Sequence, residues 1–228
     1  MGNLLMMINN GARRLGRREA SDKGFTMVEL MIALGIFSLF LTVVLSSIIS
    51  ITKASTKTQV TAQSASTELG VFQRLDHQIR YSDGINWPGV GSPSGDMYIE
   101  FHTPASSTKV GIALCTQWRY DLLSRSLQSR SWNDVVGAVP PPTWETDLTN
   151  MPNDGGAAYP FMLKQATNSG STMQQLTLTL DTGNTAVKGS AITSTFVARN
   201  SSLSSPSNSD DFVPGTSDFP ICTAGSRQ

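Results

Sequence analysis

Glu29 is the residue whose position most needs a chemical explanation. It is the only charged side chain within residues 25–52, a window of 28 residues that is otherwise apolar or weakly polar. A carboxylate in an apolar helix costs about 3 kcal/mol on insertion scales and is retained mainly where it has a partner. We therefore expect Glu29 to pair with a positive charge. The alternative is an interfacial glutamate that reaches the lipid headgroups.

The chain contains two cysteines, Cys115 and Cys222. If the part of the chain that carries them is exported, a disulfide is permitted, and two cysteines leave a single connectivity. Two free buried thiols are the alternative.

The two histidines do not indicate a catalytic or metal centre. His77 lies on the polar side of a helical pattern beside Asp76, and His102 lies at the end of a predicted strand. Neither can be combined with other residues into a metal cluster or a Ser/His/Asp set. We expect both to be surface or structural residues.

Two loops superficially resemble ligand sites. Residues 89–95 are rich in glycine, but their spacing is wrong for a phosphate loop and they do not open a helix, so a plain loop is expected. Asp210 and Asp211 lack the ligand array of a calcium site, so a solvated loop is expected there too.

The four tryptophans are expected to pack in the core and not to bind a ligand. They are Trp87, Trp118, Trp132 and Trp144. The sequence thus predicts no cofactor, no metal and no enzyme.

The element that must carry Glu29 is an apolar segment. Its core, residues 30–45, contains nothing more polar than Gly, Ser and Thr, and the whole window exceeds the roughly 20 residues that a helix needs to cross a bilayer. A cleaved secretory signal fits less well, because the core is slightly long and the pair Thr52 and Ala54 behind it is a poor cleavage site. A buried core helix is weaker still, since no later segment matches its hydrophobicity.

Charge is distributed unevenly around this segment, although the chain has 17 basic and 17 acidic side chains. Residues 1–24 carry a net charge of +3, and the residues from Tyr81 onward carry −4. This arrangement follows the positive-inside rule, so we expect a cytoplasmic N-terminus and an exported bulk. A neutral chain with a pI of about 6.7 lacks the overall basic charge of a nucleic-acid-binding protein.

The junction before the apolar core is the most specific motif, and it reads KGFTMVELMIAL over residues 23–34. This stretch strongly resembles the type IV prepilin signature, in which a glycine precedes the cleaved bond, a phenylalanine begins the mature chain and a glutamate is its fifth residue. Gly24, Phe25 and Glu29 occupy these positions. The resemblance covers about the first thirty residues of the mature chain.

The resemblance implies that a prepilin peptidase cuts after Gly24 and that the new Phe25 amine is N-methylated. A glycine lets the backbone lie extended in an active site without a side chain in the way. In a filament, the resemblance implies that Glu29 pairs with the Phe25 amine of a neighbouring subunit. The further partners that it implies are other pilins or pseudopilins, an assembly-platform membrane protein and its ATPase.

The helix is predicted to continue beyond the apolar segment and to span residues 25–80. Residues 53–80 contain no proline, and one helical face carries Ala65, Leu69, Phe72, Leu75 and Ile79. The turn-forming residues 81–84 predict the end of the helix. Residues 53–81 are therefore the amphipathic continuation of a membrane-spanning or filament-core helix over residues 25–52.

Short strands are predicted after the helix, at residues 97–102, 110–121, 126–132, 175–180 and 192–199, with loops over 84–96, 133–160 and 200–228. One long helix followed by short strands predicts an α+β fold, in which an antiparallel sheet packs on the amphipathic half-helix. Residues 82–228 are expected to form this exported head, and residues 1–24 a cytoplasmic leader that is cleaved.

The sequence favours a structural subunit of a type IV pilus-like or type II secretion pseudopilus filament. The segments QWRYDLLSRSLQSRSW and ITSTFVARN look similar to strands of J-type pseudopilins and minor pilins, which favours a minor subunit. One alternative is a competence-type subunit whose head captures DNA, although the head's negative charge argues against unaided binding. Another is an exported enzyme anchored by one helix, for which the sequence offers no catalytic residues.

Overall fold

The computed structural model describes residues 24–152, 159–183 and 188–222. The chain divides into two compact units, Met1–Thr52 and Lys53–Gln228. Of the predicted leader, residues 1–24, only Gly24 belongs to the described part, and the rest lies outside it. The described residues combine one long helix with two antiparallel sheets, which confirms the predicted α+β class.

Helix α1 spans Met27–Arg80, so the predicted helix is confirmed apart from its first two residues. The apolar half exposes its side chains, and Met31, for example, is 72% exposed. Hydroxyl groups in this half donate to carbonyls of the same helix, as Thr42 does to Ser38 (2.8 Å) and Ser46 to Thr42 (2.7 Å). These groups need no water, which suits a lipid or packed apolar surrounding.

Nine strands follow the helix in the described residues. They are β1 (Gly84–Ile85), β2 (Gly89–Val90), β3 (Met97–Thr103), β4 (Leu114–Asp121), β5 (Ser126–Asn133), β6 (Glu145–Leu148), β7 (Phe161–Lys164), β8 (Gln175–Gly183) and β9 (Lys188–Val197). The larger sheet has the order β1-β3-β4-β5-β6, with β2 also paired to β3, and the smaller sheet has the order β7-β8-β9. Neighbouring strands are antiparallel throughout.

All five predicted strands are present, but several boundaries and loops were wrong. β4 begins at Leu114 rather than at residue 110, because a 3-10 turn and bends occupy the residues before it. The predicted loop 84–96 contains β1 and β2, so the glycine-rich stretch 89–95 opens with a strand, and the predicted loop 133–160 contains β6. These strands are two to four residues long, too short for an alternating pattern to reveal them.

In the second unit, α1 buries one face in the main hydrophobic core. The buried helical residues are Glu68, Val71, Phe72, Leu75 and Ile79. The predicted face was wrong at Leu69, which is 55% exposed, because it was read from apolar residues alone and passed over the buried Glu68. Large, fully buried side chains that the strands contribute to this core are Ile85, Ile99, Phe101, Trp118, Tyr120, Leu127, Phe161 and Leu176.

The larger sheet also buries a polar layer on the face opposite Trp118. Glu100 accepts hydrogen bonds from the side-chain amides of Gln117 (2.5 Å) and Asn86 (3.0 Å). The C-terminal segment covers this layer, since the Ile221 N–H donates to Asn86 Oδ1 (2.9 Å). Each buried polar atom in these contacts has a partner, as a buried polar layer requires.

Candidate functional site

The candidate site is the junction that precedes α1, where Gly24 and Phe25 stand before the first helical turn. Phe25 is 86% exposed. A Cβ atom on Gly24 would meet nothing within 4 Å, so packing within the described chain does not explain a glycine at this position. A requirement for an extended, unobstructed backbone during processing is consistent with this open space.

Thr26 and Glu29 form a reciprocal cap on the first turn of α1. The Glu29 N–H donates to Thr26 Oγ1 (3.2 Å), and the Thr26 N–H donates to Glu29 Oε2 (3.3 Å). Two amide groups that a helix N-terminus would leave without partners are thereby satisfied. The T-x-x-E spacing is the sequence signature of this cap, and it could have identified Thr26, which the sequence-based site prediction did not include.

Glu29 thus has a local role in the single chain. Its carboxylate lies at the positive end of the helix dipole, where a negative charge is favourable, and Oε2 also lies 3.4 Å from Thr26 Oγ1. The predicted pairing with the Phe25 amine of another subunit needs a second chain and stays a prediction.

The apolar half of α1 follows directly on this cap. Within the described residues, α1 is one helix that is long and apolar enough to cross a membrane, judged by length and composition. None of its most apolar window is buried inside the chain. A continuous apolar surface of this kind marks a membrane or protein interaction site.

Cys115 and Cys222 are joined in a disulfide, with their Cα atoms 5.9 Å apart. Cys115 lies in β4, and its side chain packs with Trp132 and Ile221 in a small separate cluster. The bond spans a sequence separation of 107 residues. It therefore ties the C-terminal segment to the face of the larger sheet that carries the polar layer.

His102 lies between two carboxylates. Its Nδ1 atom is 2.7 Å from Asp83 Oδ1, and its Nε2 atom is 3.6 Å from Asp134 Oδ2. The hydrogen bond to Asp83 is the main cause that raises the pKa of the imidazole above its ordinary value, and partial burial opposes it. The other histidine, His77, is exposed on α1, and its ring contacts that of Tyr81 edge-on.

The acidic residues of the C-terminal segment organise the loop around them. Asp210 accepts the N–H of Gly215 (2.9 Å), and Asp218 accepts the N–H groups of Asp211 (2.9 Å) and Phe212 (3.0 Å). Within the described ranges, no group of three or more His, Cys, Asp or Glu side chains could hold a metal ion. These carboxylates are therefore accounted for by local turns.

Two of the four tryptophans are buried, and the other two are half-buried. Trp118 and Trp132 are buried, whereas Trp87 and Trp144 are only half-buried. The guanidinium groups of Arg119 and Arg130 lie 4.3 Å and 4.2 Å from the Trp144 ring centroid. At these distances cation–π attraction contributes to holding Trp144 on the larger sheet.

A family model described as the prokaryotic N-terminal methylation motif matches residues 20–45. The matched range includes Gly24, Phe25, the Thr26–Glu29 cap and most of the apolar segment. Neither a curated protein nor a solved structure matches the chain significantly. The matched motif thus covers the junction and most of the apolar segment, and it does not extend to the two sheets.

Proposed function

The chain is a type IV prepilin-like protein by its N-terminal segment, and from this premise we propose that it is a structural subunit of a type IV pilus-like or type II secretion pseudopilus filament. The observation that carries the proposal is the methylation motif leading directly into an apolar helical surface. A filament whose core is made of packed helices would bury that surface. The resemblance of two strand segments to J-type subunits supports a minor subunit.

Processing is proposed to begin with a prepilin peptidase that cuts between Gly24 and Phe25. The mature chain would begin at Phe25, and the Phe25 amine would then be N-methylated by the companion methyltransferase activity. Because the cut lies before the apolar segment, the product would remain anchored in the cytoplasmic membrane until assembly.

The proposed segments have separate roles. Residues 1–24 form the cytoplasmic leader, residues 25–52 the membrane span and later the filament core, residues 53–81 the amphipathic continuation and residues 82–228 the exported head. A disulfide in the head is compatible with an oxidising compartment outside the cytoplasm. The subunit would pass from a single-span membrane protein into an extracytoplasmic filament.

Glu29 is proposed to change partners on assembly. In the single chain its carboxylate caps its own helix through Thr26, and in the filament it would accept the Phe25 amine of a neighbouring pilin or pseudopilin. The cap reduces the cost of carrying the charge in the membrane before subunits meet. An assembly-platform membrane protein and its ATPase would drive the extraction of the subunit from the membrane.

We propose neither a catalytic role nor direct DNA binding. Several arginines of the second unit already have acidic partners, as Arg74 has in Asp147 (2.5 Å) and Arg119 in Asp96 (3.7 Å). Binding to DNA relies on cations that can neutralise phosphates, and the net charge of −4 from Tyr81 onward opposes it.

N-terminal mapping of membrane-extracted protein tests the processing step. Cells that contain the peptidase should yield N-methylated Phe25, and a matched strain without it should yield the uncut chain. Gly24→Ala should slow cleavage, whereas Gly35→Ala is a control, because an added Cβ meets nothing within 4 Å at either position. A new terminus near Ser55 would instead indicate ordinary signal peptidase.

Filament incorporation tests the structural role separately. Sheared filaments should pellet with the processed protein, and crosslinking should join it to other subunits. A processed protein that never co-pellets with or crosslinks to filament subunits would contradict the proposed function while leaving the cleavage assignment intact.

A further inference from the structure

Strand β9 is a long edge of the smaller sheet. It spans ten residues, Lys188–Val197, and among the described strands it pairs only with β8. An edge strand presents backbone N–H and C=O groups that have no ladder partner. Which residues present them depends on the register with β8.

The hydrogen bonds at the end of β9 establish this register. The Ala198 N–H donates to the Gln174 carbonyl (3.0 Å), so these opposite residues form a hydrogen-bonded pair. Hydrogen-bonded and non-hydrogen-bonded pairs alternate along an antiparallel ladder. Over residues 191–197, where the register with β8 is continuous, the even-numbered residues therefore bond to β8, and the backbone groups of Ala191, Thr193 and Thr195 point outward.

Two other contacts agree with this assignment. The hydroxyl oxygens of Thr177 and Thr195 are 2.8 Å apart, as expected for a non-hydrogen-bonded pair, whose side chains lie closer together. The Thr179 N–H donates to the Pro160 carbonyl (2.9 Å). Odd-numbered residues of β8 thus direct their backbone groups toward β7, away from β9.

The outward edge of β9 is open over its central residues. Ala191, Thr193 and Thr195 are exposed, and within the described ranges no hydrogen bond outside the β8 ladder reaches their backbone groups. Beyond the end of the strand, the backbone on this side has a partner again, since the Arg199 N–H donates to the Arg80 carbonyl (3.3 Å).

The edge strands β6, β7 and β1 carry the protection that edge strands usually have. β6 is four residues long and includes Glu145 and Asp147, and β7 is four residues long and ends in Lys164. β1 has two residues and is covered, since a Cβ on Gly84 would lie 2.4 Å from Ile221 Cδ1. Residues 189–197 of β9 contain neither a charge nor a proline, the devices that prevent strand addition elsewhere.

We propose that residues 191–197 of β9 dock an extended, uncharged strand of a neighbouring filament subunit, which extends the smaller sheet by one strand. The identity of the neighbour as a filament subunit rests on the proposed function. Backbone hydrogen bonds would supply the affinity. Residues 189–197 offer no charged side chain to pair with a charged segment, so an uncharged strand fits this edge.

Backbone amide hydrogen exchange tests the proposal on the mature chain. In detergent, the amides of Ala191, Thr193 and Thr195 should exchange at least about tenfold faster than those of Ile192 and Ser194, which bond to β8. In sheared filaments the three outward amides should become protected by about tenfold or more. Incorporation without this protection would overturn the docking but not the filament role.

A proline variant tests the same edge by function. Thr193→Pro removes an outward N–H, which an edge strand tolerates, and should reduce filament incorporation about tenfold. Thr193→Val is the matched control, because it keeps the N–H, and should incorporate normally. If Thr193→Pro fails to fold, the exchange comparison on the unaltered chain still decides.

Two further outcomes contradict the proposal. Concentration-dependent protection of the same amides in the detergent-solubilised chain alone would make the occupant a second copy of this chain. Absence of the chain from filaments would remove the neighbour and so overturn the proposed function and this docking together.

Discussion

The imidazole of His102 lies 2.7 Å from the carboxylate of Asp83 and fixes the turn after α1 to β3. The backbone reinforces this contact, since the Asp83 N–H donates to the His102 carbonyl (3.1 Å). Asp134, in the segment after β5, faces the other ring nitrogen. His102 therefore connects three segments, and its protonated form interacts favourably with both carboxylates.

Stability should depend on pH through His102. Because the folded pKa is raised, the contribution is fully present below the ordinary pKa of about 6.5 and is lost as the pH rises through the folded value. Urea unfolding should show a larger stability difference between the unaltered protein and His102→Gln at about pH 5.5 than at about pH 8.5. If the stability difference between the unaltered protein and His102→Gln is the same at both pH values, the proposed role of His102 is wrong.

Two substitutions of Glu29 should separate capping from charge. Gln keeps an acceptor that can complete the cap with Thr26, whereas Leu removes both the cap and the charge. Both variants should insert in the membrane and be cut after Gly24, and both should assemble poorly if an intersubunit charge pair is required. Gel mobility measures cleavage, and pelleting of sheared filaments measures assembly. Normal assembly of Glu29→Gln together with poor assembly of Glu29→Leu would show that assembly depends on the cap and not on the charge.

Removing the disulfide should destabilise the second unit. Closing a loop with a sequence separation of 107 residues contributes about 4 to 5 kcal/mol in the chain-entropy model. Replacing Cys115 and Cys222 together by serine should lower the free energy of unfolding by up to that amount, as measured by urea unfolding. Non-reducing peptide mapping of the exported protein should recover the linked peptides, and two independently alkylatable thiols would contradict the bond.

Thr182→Val should destabilise the second unit, because it removes a hydrogen-bond donor to the buried Glu68. The Thr182 hydroxyl donates to Glu68 Oε1 (2.6 Å), Glu68 is fully buried, and its Oε2 atom has no hydrogen-bond partner among the described residues. Losing this donor should cost about 1 to 3 kcal/mol of unfolding free energy. Thr193→Val, at an exposed threonine, is the control and should stay within about 0.5 kcal/mol.

A double variant extends this test. Glu68→Met together with Thr182→Val removes the buried carboxylate as well as its donor and should recover part of the lost stability. Recovery should be incomplete, because the Ser190 N–H, which donates to Thr182 Oγ1 (3.2 Å), still loses its acceptor. If the double variant is less stable than Thr182→Val alone, Glu68 has a further stabilising partner that this pairing does not explain.

Local features of the molecule could be predicted from the sequence because their interactions lie within one segment. The hydrogen bonds of a helix join residues four apart, so an unbroken stretch without proline predicted α1 up to Arg80. The Thr26–Glu29 cap joins residues three apart, so its T-x-x-E spacing also makes it predictable from the sequence. Gly24, Phe25 and Glu29 were identified by a motif that is contiguous in the chain.

Only the tertiary structure decided which distant residues meet. The hydroxyl of Thr182 reaches the buried Glu68 across 114 positions, and the carboxylates around His102 come from two other segments. The division of the strands into two sheets, which leaves β9 as an open edge, follows from pairings between strands far apart in sequence. Such pairings depend on the packing of the whole unit, and residue spacing within one strand does not encode them.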